Sequence, residues 1–140
     1  MLPVANVGVV AAHAAVSTAL AGASGGITAL FTNLYFEERR TGEPSFSLHM
    51  CMNGSLSGLV AITAGCGVVE PWAAVVIGMV SGWIYIYTLD LLVRLKIDDA
   101  VNAIPVHMFN GMWGVVSVGF FSSPRLLLKA YGTDKHAGWC

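Results

Sequence analysis

Every charged side chain of this sequence lies outside four long windows: Val4–Phe36, Phe46–Val69, Pro71–Leu89 and Ala100–Pro124. Each window is near or above the roughly 20 residues that an apolar helix needs to cross a bilayer. A helix in water would carry charges every turn or so on its outer face. Only 11% of the 140 residues are charged, against about 25% in a soluble domain. Lipid rather than water is therefore expected around much of the surface. The sequence predicts an all-α fold, a polytopic membrane helix bundle with spans at about 4–36, 46–69, 71–92 and 100–122 and no soluble domain. The net charge of −1, with no basic block, gives no reason to expect nucleic acid as a partner. The first window directly follows Met1-Leu2-Pro3 and is too long for a signal peptide. Cys51 and Cys66 fall inside a span and Cys140 is the last residue, with no CxxC pattern. Neither a disulfide framework, a metal nor a cofactor is expected.

The loops alternate in charge. "EERRTGEP" carries Arg39 and Arg40, "GCGVVEPW" has no basic residue, and "RLKIDD" carries Arg94 and Lys96. The positive-inside rule puts the first and third loops in the cytoplasm, so the chain starts outside and the last span runs outward. Arg125, Lys129 and Lys135 would then lie outside, against the rule unless they open a long loop. Gly65 and Gly67 mark the end of the second span, and Pro71 suits the first turn of the third. Glu70 would complement that helix's dipole. Asp90 and Arg94, four apart, are expected to pair. Trp72, Trp83, Tyr85 and Tyr87 read as an interfacial belt. "GASGG", "GSLSG" and "GMVSG" are small-xxx-small faces that let helices approach closely.

A few polar residues remain inside the windows. His13, among alanines, and His49, near the start of the second span, are each read as a hydrogen-bonded histidine between helices. Adjacent Met50 and Cys51 cannot converge with His49 on a metal. Asn53 and Asn110 are further intramembrane polar groups. His107 has a different neighbourhood, "AIPVHMFNGMWG". Pro105 leaves a carbonyl unbonded and bends the helix, a break that lipid tolerates only beside protein or a cavity. Gly111 and Gly114 are expected to open room beside the ring, and an intramembrane ionisable group commonly marks a pathway.

"NGSLSGLVAITAGCGVVEPWAAVVIG" and "RLKIDDAVNAIPVHMFNGMWG" closely resemble the ammonium transporters of the Amt/Rh family. The resemblance implies part of an eleven-span fold of two inverted five-helix repeats plus one helix, with these spans near the seventh to tenth. It implies a homotrimer with one pore per subunit, in the plasma membrane. His107 matches the second of two stacked pore histidines, and Asp98 and Asp99 the acidic pair opening that helix. Trp113 and Gly114 fall in the GxWG packing segment, while His13 matches no pore histidine. Met108 and Phe109 are larger than usual, Asn110 replaces a usual cysteine, and Ala100 stands where proline is common. The first pore histidine, the aromatic gate and the outer cation site have no counterpart here, so the sequence reads as a partial chain.

The function implied is transport of ammonium or ammonia through a histidine-lined pore, with His107 binding substrate and no enzymatic activity. Pro105, Gly111, Trp113, Gly114 and the acidic pair would shape the pore helix. Two other functions fit a chain of this kind. One is a membrane anchor binding haem through His13 and His107. The other is a non-transporting partial subunit that joins full-length trimers.

Overall fold

The computed structural model describes residues 4–43, 45–132 and 138, with side chains from Val7 onward. Lys135 and Cys140 lie outside the described residues. Helix α1 (Val4–Thr41) continues through Glu37-Glu38-Arg39-Arg40, beyond the window that ends at Phe36. These four residues are good helix formers, and the two arginines sit in the last turn, where the dipole is negative. The expected first loop therefore begins only at Gly42, which takes φ +80°.

Helix α2 (Leu48–Ile62) starts at Ser47, whose hydroxyl accepts from the Met50 N–H, and has 15 residues. At 1.5 Å per residue it spans about 22 Å. The chain then turns through residues 63–68 instead of filling the whole second window. Among the described residues, three helical stretches are long and apolar enough to cross a membrane: Val7–Thr41, Pro71–Leu95 and Ile104–Phe121. The second window thus gives a shorter helix than expected, because Gly65 and Gly67 favour a turn before the window closes.

Helix α3 (Pro71–Leu95) has proline at its first position and ends at Lys96 in left-handed conformation. A π-helical turn (Ile104–Phe109) leads into α4 (Asn110–Phe121), and α5 (Pro124–Tyr131) follows. Leu127 and Ala130 of α5 pack on Val68 in the α2–α3 turn. An isolated antiparallel bridge, Val69 to Ser122, joins that turn to the end of α4. We call this the turn end of the bundle. The opposite, charged end holds the C-termini of α1 and α3 and the starts of α2 and the π-helical turn.

Helices α2 and α3 lie between α1 and α4, each touching both. Small residues set the spacing. A Cβ on Gly25 would sit 2.6 Å from the Gly54 carbonyl oxygen, so only glycine allows α1 and α2 to cross this closely. The buried cluster beside this crossing is Ala21, Ala61, Ile62, Val69, Ala73, Ala74 and Ile77. Two expected belt residues belong elsewhere. Tyr85 is 0% exposed and joins a core with Ala29, Ile86 and Val106. Trp83 is half-exposed near the middle of α3, in a groove shared with Phe109 and Trp113. Alternation of faces along α3 separates Tyr85 from the exposed Trp83 and Tyr87.

The Asp90–Arg94 pair forms at 2.6 Å, and Arg40 adds a second contact to Asp90 at 2.9 Å. The extra turns of α1 place Arg40 there. This contact also puts the ends of α1 and α3 on one side, as the alternation of loop charge required.

Candidate functional site: the His107 turn and the polar end beside it

The chain enters α4 through Asp99. Its two carboxylate oxygens accept from the Ala103 N–H at 3.0 Å and the Ile104 N–H at 2.8 Å. These donors have no partner within the helix, so the carboxylate caps them and complements the dipole. Asp98 is exposed and does not cap. Of the acidic pair, only Asp99 caps the turn.

Pro105 has no N–H, and around it the helix widens to a π-helical turn rather than making a simple bend. Such turns are rare and are common at functional sites. Asn110 is 0% exposed and its Nδ2 donates to the Pro105 carbonyl at 2.8 Å. The Asn110 backbone N–H bonds instead to the His107 carbonyl. A side chain thus replaces a ladder bond, and the turn is held open from inside the bundle.

His107 lies on the outer side of this turn and is exposed. No side chain among the described residues hydrogen-bonds to its ring. Met108, Met112, Val115 and Val116 share the outer side and are each at least half-exposed. The result is an apolar face carrying one imidazole. Phe109 lines the groove between α3 and α4, together with Met112 and Val116 at its edge. Of the two enlarged residues, only Met108 flanks the ring's open side.

The glycines expected to make room differ from each other. A Cβ on Gly111 would meet nothing within 4 Å, whereas one on Gly114 would sit 2.5 Å from the Ala61 carbonyl oxygen. Gly114 therefore closes the α2–α4 contact and opens no space beside the ring. Trp113 has a packing role too, with Nε1 donating to the Ile77 carbonyl at 3.2 Å.

A second polar group at the charged end was only partly visible in the sequence. His49 Nε2 accepts from Asn53 Nδ2 at 3.0 Å and from Asn102 Nδ2 at 3.1 Å. Asn53 Nδ2 also reaches the Tyr85 hydroxyl at 3.2 Å, and that hydroxyl points at Met50 Sδ at 3.7 Å. The cluster ties α2, α3 and the approach to the π-helical turn together, with Asn102 five residues before His107. Asn102, the unforeseen member, has φ 55°, a conformation that asparagine tolerates better than most residues. An isolated asparagine between a charged loop and a proline is the only sequence sign of it.

His13 is accounted for at the other end. Its Nε2 lies 2.8 Å from the Val69 carbonyl oxygen. A carbonyl only accepts, so this nitrogen carries the proton. The expected hydrogen-bonded role holds, and the haem alternative does not. Val69 is bridged to Ser122, which lies fifteen residues beyond His107 (122 − 107). At 1.5 Å per residue that separates the two imidazoles by about 20 Å along the bundle, too far to share one iron. The described residues contain no group of three or more His, Cys, Asp or Glu that could hold a metal.

The Ammonium Transporter Family sequence profile matches residues 4–140. A putative ammonium transporter of Synechocystis is 46% identical over 109 residues, 78% of this chain and 24% of that protein. The ammonium transporter Amt2 of Archaeoglobus fulgidus is 44% identical over 106 residues, 76% of this chain and 21% of that protein. The chain thus spans about a quarter of these relatives' length. Among solved structures, Saccharomyces cerevisiae Mep2 superimposes with a TM-score of 0.82 at 31% identity, covering 93% of this chain and 30% of that one. A sensor Amt protein does so with 0.70 at 33% identity, covering 89% and 30%. With its apolar helices, its glycine-closed crossings and a profile match along nearly its whole length, this multi-pass membrane chain belongs to the ammonium transporter family.

Proposed function

We propose that the π-helical turn and α4 form one wall of a path for ammonium-derived ammonia, with His107 as the imidazole that meets the substrate. The observation that carries this reading is the posture of His107. It stands exposed, with no side chain among the described residues hydrogen-bonded to its ring, on a turn held open by Asn110. His13 and His49, the other described histidines, are both hydrogen-bonded to their surroundings.

Ammonium resembles potassium in size and charge, so charge alone cannot select it. A dehydrated cation in a narrow apolar path is also costly. Removing a proton at the mouth and passing neutral ammonia avoids that cost. A neutral imidazole offers one donor and one acceptor nitrogen to such a molecule. A second imidazole, the homotrimer, the plasma-membrane location and cytoplasmic placement of the charged end belong to the same reading, as the family implies. The face carrying His107 is one-sided, so we expect the 140-residue chain alone to give no flux in proteoliposomes.

The test is His107→Ala in the transporter carrying this segment, followed by ammonium-dependent current and methylammonium uptake. We expect flux to fall about tenfold or more, the factor equivalent to ~1.4 kcal/mol in a barrier, or selectivity against potassium to be lost. Unchanged flux together with unchanged selectivity removes His107 from the path.

A further inference from the structure

Five buried polar side-chain atoms have no hydrogen-bond partner among the described residues: Asn33 Nδ2 on α1, Ser122 Oγ at the end of α4, and, within α2, α3 and α4, Ser57 Oγ, Ser81 Oγ and Asn110 Oδ1. The last three residues are 0% exposed. They belong to α2, α3 and α4, yet the helix register brings them to one level. Toward the turn end, Gly114 abuts Ala61 and Trp113 Nε1 donates to the Ile77 carbonyl. Toward the charged end, Asn53 donates to Tyr85, and Tyr85 shares a buried cluster with Ile86 and Val106. Ser57 lies midway between Asn53 and Ala61, Ser81 between Ile77 and Tyr85, and Asn110 between Val106 and Gly114. Residues four apart share a helix face. The three side chains therefore face the same junction, bracketed above and below by contacts that fix it.

We infer that Ser57, Ser81 and Asn110 enclose a binding site for one water molecule. Buried polar groups are nearly always satisfied, and each exception calls for an explanation. A buried water typically makes about three hydrogen bonds to such groups. Here its oxygen accepts from the two serine hydroxyls, and one of its hydrogens goes to Asn110 Oδ1. That uses all three of these atoms. Ammonia has a single lone pair and can accept from only one serine. An ammonium ion would be a buried charge, and no carboxylate is buried among the described residues to balance it. The site has a structural consequence. The same Asn110 amide holds the Pro105 carbonyl through Nδ2, so water on Oδ1 fixes the amide that props open the His107 turn. Water binding itself does not depend on the transport reading; only this consequence for His107 does.

The test uses Ser57→Ala, Ser81→Ala and the double variant in the transporter carrying this segment, with thermal unfolding in detergent and a crystal structure that orders internal waters. With water bound, each single variant lowers Tm by roughly 2–4 °C. The double variant falls no further than the worse single, because the same molecule is lost once. Density for a water between the three side chains completes the expected result. A hydroxyl with no partner would behave oppositely, since removing it raises Tm. Unchanged or raised Tm, additive losses, or hydroxyls seen bonded to carbonyls of their own helices overturn the proposal. A Tm that rises with ammonium chloride but not with potassium chloride, and only while both serines are present, assigns the site to the cation and overturns water. Methylammonium uptake by the same variants reads only the consequence for His107: a fall in uptake per folded molecule is expected, and unchanged uptake alongside the expected Tm losses overturns the link between this water and the His107 turn while leaving the His107→Ala test of transport untouched.

Discussion

His13 and His107 look alike in the sequence: each is a single imidazole in an apolar run, beyond reach of any charged residue. The structure gives them opposite surroundings. Around His13, α1 meets the α2–α3 turn, and the ring donates to a carbonyl of that turn. Around His107, the bundle ends, and the ring is exposed, with no side chain among the described residues hydrogen-bonded to it. The first is a tie between elements and the second an offered functional group. What separates them is where each ring falls relative to the next helix, not the residue type or the hydropathy around it.

Four comparisons between these regions can be pressed, from the largest effect down. Gly114 marks the inward side of the helix whose outward side carries His107. Gly114→Val should cost about 3 kcal/mol through overpacking against Ala61, read as lost monodisperse protein or a large fall in Tm. Gly111→Ala, with nothing to clash with, should stay within about 1 kcal/mol. If Gly114→Val folds normally, α4 does not approach α2 as described.

The two histidines should then separate by assay. His107→Ala is expected to abolish most flux while changing stability by less than about 0.5 kcal/mol, as for an exposed site. His13→Ala should keep the flux per folded molecule and lose roughly 1–2 kcal/mol, because it leaves the buried Val69 carbonyl without its donor. Equal loss of flux in both variants would erase the contrast. The next comparison is within the acidic pair. Asp99→Ala should cost about 1 kcal/mol as a lost cap, measured by thermal unfolding, and Asp98→Ala should be near neutral. The smallest effect is expected at the charged end. Arg40→Ala should lower Tm slightly, and less at high salt, since the pair with Asp90 is exposed.

Membership of the bundle was legible because charge placement is a one-dimensional property. Desolvating a charge in lipid is so costly that windows without charge reveal spans directly. The glycine faces were legible for the same reason, as spacing alone puts Gly22–Gly26 and Gly54–Gly58 on helix faces. The Asp90–Arg94 pair follows from four-residue spacing. Its third member, Arg40, does not, because it depends on α1 running past its apolar window. The shortness of α2 was also hidden: an apolar turn and an apolar helix end have similar composition.

The sequence by itself determined that helices form, that lipid surrounds them, which loops share a side, and that a proline and a histidine lie together in the last span. The tertiary structure decided that Tyr85 is core rather than belt, that Gly114 closes a contact rather than opening one, and that Asn102 joins His49 and Tyr85. It also decided that Ser57, Ser81 and Asn110 meet. The physical reason is the range of the forces involved. Transfer of a side chain between water and lipid depends on that residue and its immediate neighbours along the chain. A hydrogen bond or a backbone crossing depends on ångström-scale register between helices far apart in sequence, and their packing alone sets it.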